Sequence, residues 1–291
     1  MPHLLCFGLG YSARRLARRL ARRGWRITGT ARSEAAVSRL VAEGFDGVIF
    51  DGNTGIDGFA ALTRDVTHIL LSVPPSEDGD PVFARHGADI AALAGQLKWV
   101  GYLSTTGVYG DRQGGWVDEN SELLPATERG RRRVQAEADW QSLHTAHSLP
   151  LHIFRLAGIY GPGSNQLVSL LNGKSRRVVK QGQVFSRIHV DDIAATLEAS
   201  LEKPNPGRVY NVCDDEAAPP QEVVAHAAEL LKRPPPPEIA FEEADMSPMG
   251  RSFYAESKRV SNERIKQELA VELAYPTYRE GLSALLETVQ R

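Results

Sequence analysis

The chain has 291 residues, 42% of them hydrophobic, and a formal net charge of −2. That is ample core for one large domain or two modest ones, and the near-neutral charge excludes a general nucleic-acid binder, whose surface must be strongly basic. No run approaches the ~20 apolar residues of a membrane-spanning helix. Two cysteines, Cys6 and Cys213, make neither a disulfide framework nor a metal cluster, so the composition predicts a cytoplasmic protein with no metal site and no membrane or nucleic-acid partner.

The first apolar run, "HLLCFG", leads into a glycine-containing turn and an arginine-studded stretch, "LGYSARRLARRLARRG". Glycine lacks the Cβ that would block a pyrophosphate. The first N–H groups of a following helix have no internal partner and carry the positive end of its dipole. Gly8 is therefore expected to make the tight turn, Gly10 to admit a pyrophosphate, and Ala13 to let helix and strand pack closely. A G-x-G-x-x-A pattern alone also suits an ordinary strand-to-helix turn. Ala13, Leu16, Ala17, Leu20 and Ala21 recur at helical spacing, which predicts an amphipathic helix over 11–23 with its arginines in solvent.

Further apolar runs, "WRITGTA", "GVIFDG", "THILLSV", "KWVGYLST", "LHIFRLAG" and "RVYNVC", alternate with helices predicted at 33–43, 55–64, 82–97, 127–147 and 190–202. Buried strands separated by helical crossovers predict an α/β fold with a doubly wound parallel sheet. After "YGPG" at 160–163 the pattern loosens. The expected division is a core over 1–163 with returning segments at about 184–213, and a smaller discontinuous subdomain from 164–183 and 214–291. That subdomain would close over the carboxyl edge of the sheet, where ligands bind in open α/β folds. The proline run at 233–237 has the composition of a stiff connector.

The second run ends Thr30-Ala31-Arg32-Ser33, with no carboxylate before Glu34. An acidic residue there takes the adenosine ribose hydroxyls of NAD and repels the extra phosphate of NADP. Arg32 instead offers a planar donor fork to a 2′-phosphate, and Ser33 a helix cap and a hydroxyl, so NADP(H) is expected over NAD(H). Asp51, ending the third run, suits either the adenine amino group or an ordinary turn.

"STTGVYGD" at 104–111, "FRLAGIYGPG" at 154–163 and "RIHVDDIA" at 187–194, following the glycine turn, resemble the extended short-chain dehydrogenase/reductases, or NAD-dependent epimerase/dehydratase family, across nearly the whole chain. The resemblance implies a Rossmann core, a small-molecule substrate, a homodimer, and cofactor contacts that also take in Tyr11, Ser12 and Ser72. It further implies a catalytic Ser or Thr after the fifth strand, at Thr105, and a Tyr-x-x-x-Lys on the next helix. Here Arg129 stands in the tyrosine's position and Arg133 in the lysine's. Arginine donates hydrogen bonds but, with a pKa above ~12, releases no proton near neutrality. Arg133 can therefore keep a ribose-binding role, or pair with Glu137 when no cofactor is bound, while Arg129 can only stabilise anionic charge. Two functions fit: an atypical NADP(H)-dependent oxidoreductase or epimerase/dehydratase acting on a small carbonyl or hydroxyl compound, and a non-catalytic NADP(H)-binding sensor or scaffold.

A literal Tyr-x-x-x-Lys, Tyr254 to Lys258, falls more than a hundred residues past that helix and is expected by chance alone. Tyr109 and Tyr160 belong to motifs that pack or line the cofactor cleft. His189, Asp191 and Asp192 point apart at this spacing rather than converging on a metal; the histidine is expected to anchor a loop and one aspartate to cap a helix starting near Ile193. Relatives that bind nucleotide sugars carry an arginine four residues before that histidine. This chain has Phe185 there and Arg187 two residues on, which argues against a nucleotide sugar.

Overall fold

A computed structural model describes residues 1–289. Its elements, in chain order, are β1 (His3–Phe7), α1 (Tyr11–Arg22), β2 (Arg26–Ala31), α2 (Glu34–Ala42), β3 (Asp46–Ile49), α3 (Phe59–Leu62), β4 (His68–Leu71), α4 (Pro81–Ala92), β5 (Trp99–Thr105), β6 (Trp116–Val117), α5 (Glu128–His147), β7 (Leu151–Leu156), β8 (Gly158–Tyr160), α6 (Gln166–Leu171), β9 (Arg177–Val179), β10 (Arg187–His189), α7 (Val190–Glu202), β11 (Val209–Val212), α8 (Pro220–Leu230), β12 (Glu238–Ala240), α9 (Pro248–Phe253), β13 (Arg259–Val260), α10 (Glu263–Leu269) and α11 (Tyr278–Val289).

The seven apolar runs form one sheet in the order β3-β2-β1-β4-β5-β7-β11, parallel as expected. β1, β4 and β7 are buried at every residue, which is why their sequences run apolar without alternation. Connections leave β1 toward β2 and β3 on one side, and β4, β5, β7 and β11 lie on the other. The carboxyl ends of β1 and β4 therefore flank the topological switch point, the place where such sheets leave a crevice. Phe7, Ile69, Tyr102, Trp140 and Ile153 belong to one core. Within β5, the Trp99 ring fills the space beside Gly101, where a Cβ would lie 2.0 Å from it, and the indole N–H donates to Ser200 Oγ at 3.0 Å.

The chain divides into two compact units. The first comprises Met1–Thr105, Arg131–Arg155 and Ala194–Tyr210; the second comprises Thr106–Gly130, Leu156–Ile193 and Asn211–Arg291. Residues 106–130 and 156–163 thus group with the second unit rather than with the core segment that ends at 163, because β6 pairs with β13 and β8 with β10. A second core gathers Tyr160, Leu167, Val223, Tyr278 and Leu282. Gly281 is required there, since a Cβ would meet the Tyr160 hydroxyl at 2.0 Å. The helix expected over 55–64 contracts to α3, because Gly58 takes a left-handed φ of +69° at its amino end. The other predicted helices form close to their expected bounds, save that α4 ends at Ala92.

His68 and His152 are buried in the first unit. Desolvation lowers the pKa of each from 6.5 to about 4, with nearby Lys98 adding to the effect at His68. The unfolded chain protonates these rings near pH 6.5 and the folded chain only near pH 4. Their neutral-form stabilisation is therefore complete above pH 6.5 and is lost as pH falls toward 4, by up to ~3 kcal/mol for each ring. Urea melts should show a falling midpoint between pH 7 and 5, and a His68→Gln, His152→Gln double variant should show a flatter dependence over that window.

Candidate functional site

At the β1–α1 junction two glycines stand for different reasons. Gly8 has φ +81°, and a Cβ on it would lie 3.0 Å from Val73 Cγ2 and 3.3 Å from the Val73 backbone nitrogen. The fold itself demands glycine there. Its N–H donates to Thr30 Oγ1 at 2.8 Å and the Leu9 N–H to Thr30 O at 3.2 Å, so the ends of β1 and β2 are tied together. Gly10 has an ordinary φ of −87°, is exposed, and would bring an added Cβ only to within 3.9 Å of Gly8 O. Nothing in the chain requires glycine at that position.

Gly10 is also the N-cap of α1, which has no side-chain cap and no acidic residue in its first turn. The positive end of this helix dipole faces the switch point without an acceptor side chain. Ser12 and Ala13 are buried, and Tyr11 is exposed at the helix start.

The other strand ends carry the remaining candidates. Ser72 follows β4 and donates its N–H to Phe7 O at 2.9 Å, beside Gly8. Arg32, just past β2, is exposed and makes no ion pair among the described residues. Ser33 caps α2, its hydroxyl accepting the Ala36 N–H at 3.3 Å. Asp51 accepts from the Asn53 backbone and side-chain nitrogens at 2.8 and 3.0 Å, bonds that lower its pKa and account for it as a turn residue. Thr105 is the half-buried last residue of β5.

α5 contains neither tyrosine nor lysine. Arg133 turns toward the sheet, its Nη1 donating to the Tyr102 hydroxyl at 2.9 Å and to Leu103 O at 2.6 Å, with the guanidinium 5.5 Å from the Tyr102 ring centre. Burial raises the Tyr102 pKa, so that phenol is held neutral. The expected fallback pairing of Arg133 with Glu137 does not occur. Glu137 instead pairs with Arg155 of β7 at 2.7 Å and accepts the Ser104 hydroxyl at 2.5 Å, all three residues being buried. A carboxylate so deeply buried takes the cation that is buried with it. Arg129, one turn before Arg133, is exposed and lies 5.2 Å from the Phe253 ring centre. The structure thus gathers Gly8, Gly10, Arg32, Ser72, Thr105 and Arg133 in the first unit, while Arg129 belongs to the second.

Thr30, Tyr102 and the Ser104–Glu137–Arg155 group escape a reading of the sequence. One signal was available: an arginine inside "HIFRL" sits in a buried strand and must have a partner.

Other sequence candidates resolve into structure. Tyr254 stacks 5.2 Å from Phe241, and Lys258 is buried, donating to Glu256 at 2.6 Å and Gly110 O at 2.9 Å. The residues between them are not helical, so the two side chains lack the i,i+4 juxtaposition of a helix. Tyr109 donates to Asn211 at 2.7 Å. α7 begins at Val190, and Asp192, rather than capping a helix at Ile193, accepts the Ala274 and Tyr275 N–H groups at 2.8 and 3.1 Å, because its carboxylate is buried beside that loop. His189 lies 4.0 Å from the Tyr275 ring. Among the described residues no group of His, Cys, Asp or Glu can hold a metal, and no helix is long and apolar enough to cross a membrane.

A doubly wound sheet in this order, with a glycine turn at its switch point, defines the Rossmann class of α/β proteins. The model of the NAD-dependent epimerase/dehydratase family matches residues 84–213. The chain is 29% identical over 220 residues to Protein YeeZ of Escherichia coli strain K12, covering 73% of this chain and 78% of YeeZ. A conserved protein of unknown function from Silicibacter pomeroyi is 52% identical over the full length of both chains, with a TM-score of 0.91. The dTDP-glucose 4,6-dehydratase of Bacillus anthracis, solved with NAD, covers 100% of this chain and 97% of its own at 17% identity and a TM-score of 0.78. At that identity the likeness is one of fold.

Removing one member of the buried pair should be costly. Glu137→Ala should lower unfolding stability by ~3–5 kcal/mol, since it leaves Arg155 charged and unpaired. Replacing both, Glu137→Leu with Arg155→Met, should recover most of that loss in the same denaturant titration.

Proposed function

We propose that this protein binds NADP(H) at the carboxyl ends of β1, β2 and β4 and acts as an oxidoreductase or epimerase/dehydratase on a small carbonyl or hydroxyl compound. The observation that carries this reading is the open space at Gly10 in front of an uncapped helix. A pyrophosphate fits it, accepting from the first N–H groups of α1, whereas the chain's own packing gives no reason for glycine. Arg32 supports the choice of NADP(H), being an exposed guanidinium with no ion pair among the described residues and no carboxylate beside it at the strand end.

A bound nicotinamide dinucleotide supplies hydride exchange with a carbon of the substrate. On this reading the Thr105 hydroxyl orients the substrate oxygen. Arg133, fixed through Nη1 on Tyr102 and Leu103, donates its remaining N–H groups to the nicotinamide ribose. Neither Arg129 nor Arg133 transfers a proton, so water or the substrate itself takes that part. The same absence of tyrosine and lysine from α5 favours the second reading, an NADP(H)-binding sensor without turnover.

Two binding measurements test the cofactor assignment. Arg32→Ala should weaken NADPH by roughly ten- to a hundredfold, the worth of charge-assisted hydrogen bonds, and leave NADH affinity unchanged. Gly10→Val should still melt cooperatively yet gain nothing from NADPH, whereas the wild-type protein should gain ~2.7 kcal/mol at a hundredfold excess over Kd. A valine variant stabilised as well as wild type would rule out the pyrophosphate at this turn.

A further inference from the structure

The second unit holds a guanidinium that has no counter-ion. Arg187 sits on β10, and its Nη1 donates to Phe185 O at 2.7 Å and Ala218 O at 3.1 Å. Those bonds fix the group but leave its Nε and Nη2 donors without a partner among the described residues. The Phe185 and Tyr278 rings flank it, each with its centre 6.0 Å away. The Tyr278 hydroxyl is buried and also lacks a hydrogen-bond partner. Burial lowers the pKa of Arg187, the mark of a cation held away from water.

The neighbouring acid does not compensate it. Asp214 follows β11 and donates its N–H to Arg187 O at 2.6 Å, but no Asp214 oxygen lies within ion-pair distance of the guanidinium, and both are buried without a partner. The Arg187 charge, and after it the nearby Glu216 and Arg187 N–H groups, favour the carboxylate. Desolvation outweighs them and pushes the Asp214 carboxyl up to about 8. The guanidinium thus sits half-buried between aromatic rings with no carboxylate in ion-pair contact, a setting in which an anion meeting its free donors is favourable.

We infer that Arg187 is an anchor for a compact anionic head, a carboxylate or a phosphate monoester, on a small-molecule ligand. The guanidinium presents its free donors as a fork, which matches two oxygens of such a group. The flanking rings suit a planar or apolar body attached to it. The inference deepens the proposed function, since it rests on that reading for the ligand being the substrate; the anion site itself does not depend on the cofactor.

Isothermal titration of the full-length protein with inorganic phosphate and with succinate, at constant ionic strength in chloride, tests it. Saturable binding of at least one anion is expected, weakened about tenfold or more by Arg187→Gln, with NADPH affinity unchanged in that variant. Preference for phosphate assigns a phosphate monoester, and preference for succinate a carboxylic acid. No saturable binding of either anion, or equal binding by Arg187→Gln, overturns the inference. If the glutamine variant does not melt cooperatively, phenylglyoxal modification of the wild-type protein mapped by mass spectrometry decides: protection of Arg187 by the anion supports the site, and absence of protection overturns it. Loss of NADPH binding by the wild type with anion binding intact would instead refute the proposed cofactor and leave the Arg187 site standing.

Discussion

The amino end of α1 is the constraint around which the first unit is arranged. It has no side-chain cap at Gly10 and no acidic residue in its first turn, and the dipole concentrates positive potential at the switch point between β1 and β4. Gly8 takes a left-handed φ of +81°, and a Cβ on it would lie 3.0 Å from Val73 Cγ2, so the turn admits only glycine there. Farther along the same helix, the arginines are absorbed by surface acids: Arg18 by Glu43 at 2.7 Å, Arg19 by Glu198 at 2.6 Å, and Arg23 by Glu198 and Glu202 at 2.6 and 2.8 Å. Exposed pairs of this kind contribute little individually. They leave the basic run as a solvated helix face and the glycine end as the place where an anion is wanted.

α5 is registered on β5 by two polar contacts one turn apart. Arg133 reaches the Tyr102 hydroxyl and the Leu103 carbonyl, while Glu137 accepts from Ser104 and is held by Arg155. These contacts fall on the last residues of β5 before Thr105, tying the helix to that end of the strand. An arginine in this setting is a fixed donor, suited to holding a ligand oxygen and unsuited to acid–base exchange.

Three cations, Arg155 and Lys258 buried and Arg187 half-buried, show how different local solutions give different chemistry. Arg155 has its carboxylate at 2.7 Å, Lys258 has Glu256 at 2.6 Å, and both are thereby accounted for as structure. Arg187 has two carbonyls and no carboxylate within ion-pair distance, beside an aspartic acid whose pKa burial raises. An ion pair that is complete within the chain has no need of a ligand, and one that is incomplete has every reason to recruit one.

The continuous apolar runs were enough to read the parallel sheet, because strands buried on both faces are dominated by apolar residues. Arg32 was a candidate from its place at a strand end, whereas Ser72 and Thr105 were candidates only through the family resemblance. The helix at 55–64 misled because a left-handed glycine at 58 breaks an otherwise plausible pattern. Which polar side chain meets which was decided only on folding. Glu137 could equally have served Arg133, one turn away, but β7 delivers Arg155 into the same buried space at bidentate geometry. Likewise the run "SRIHV" names an arginine and "NVCDD" an aspartate, yet that the two would lie side by side and still not pair depends on backbone contacts between β10 and the segment after β11. Local pattern dictates burial and direction along the chain, whereas the pairing of buried charges is set by distances between residues far apart in sequence, which only the packed structure defines.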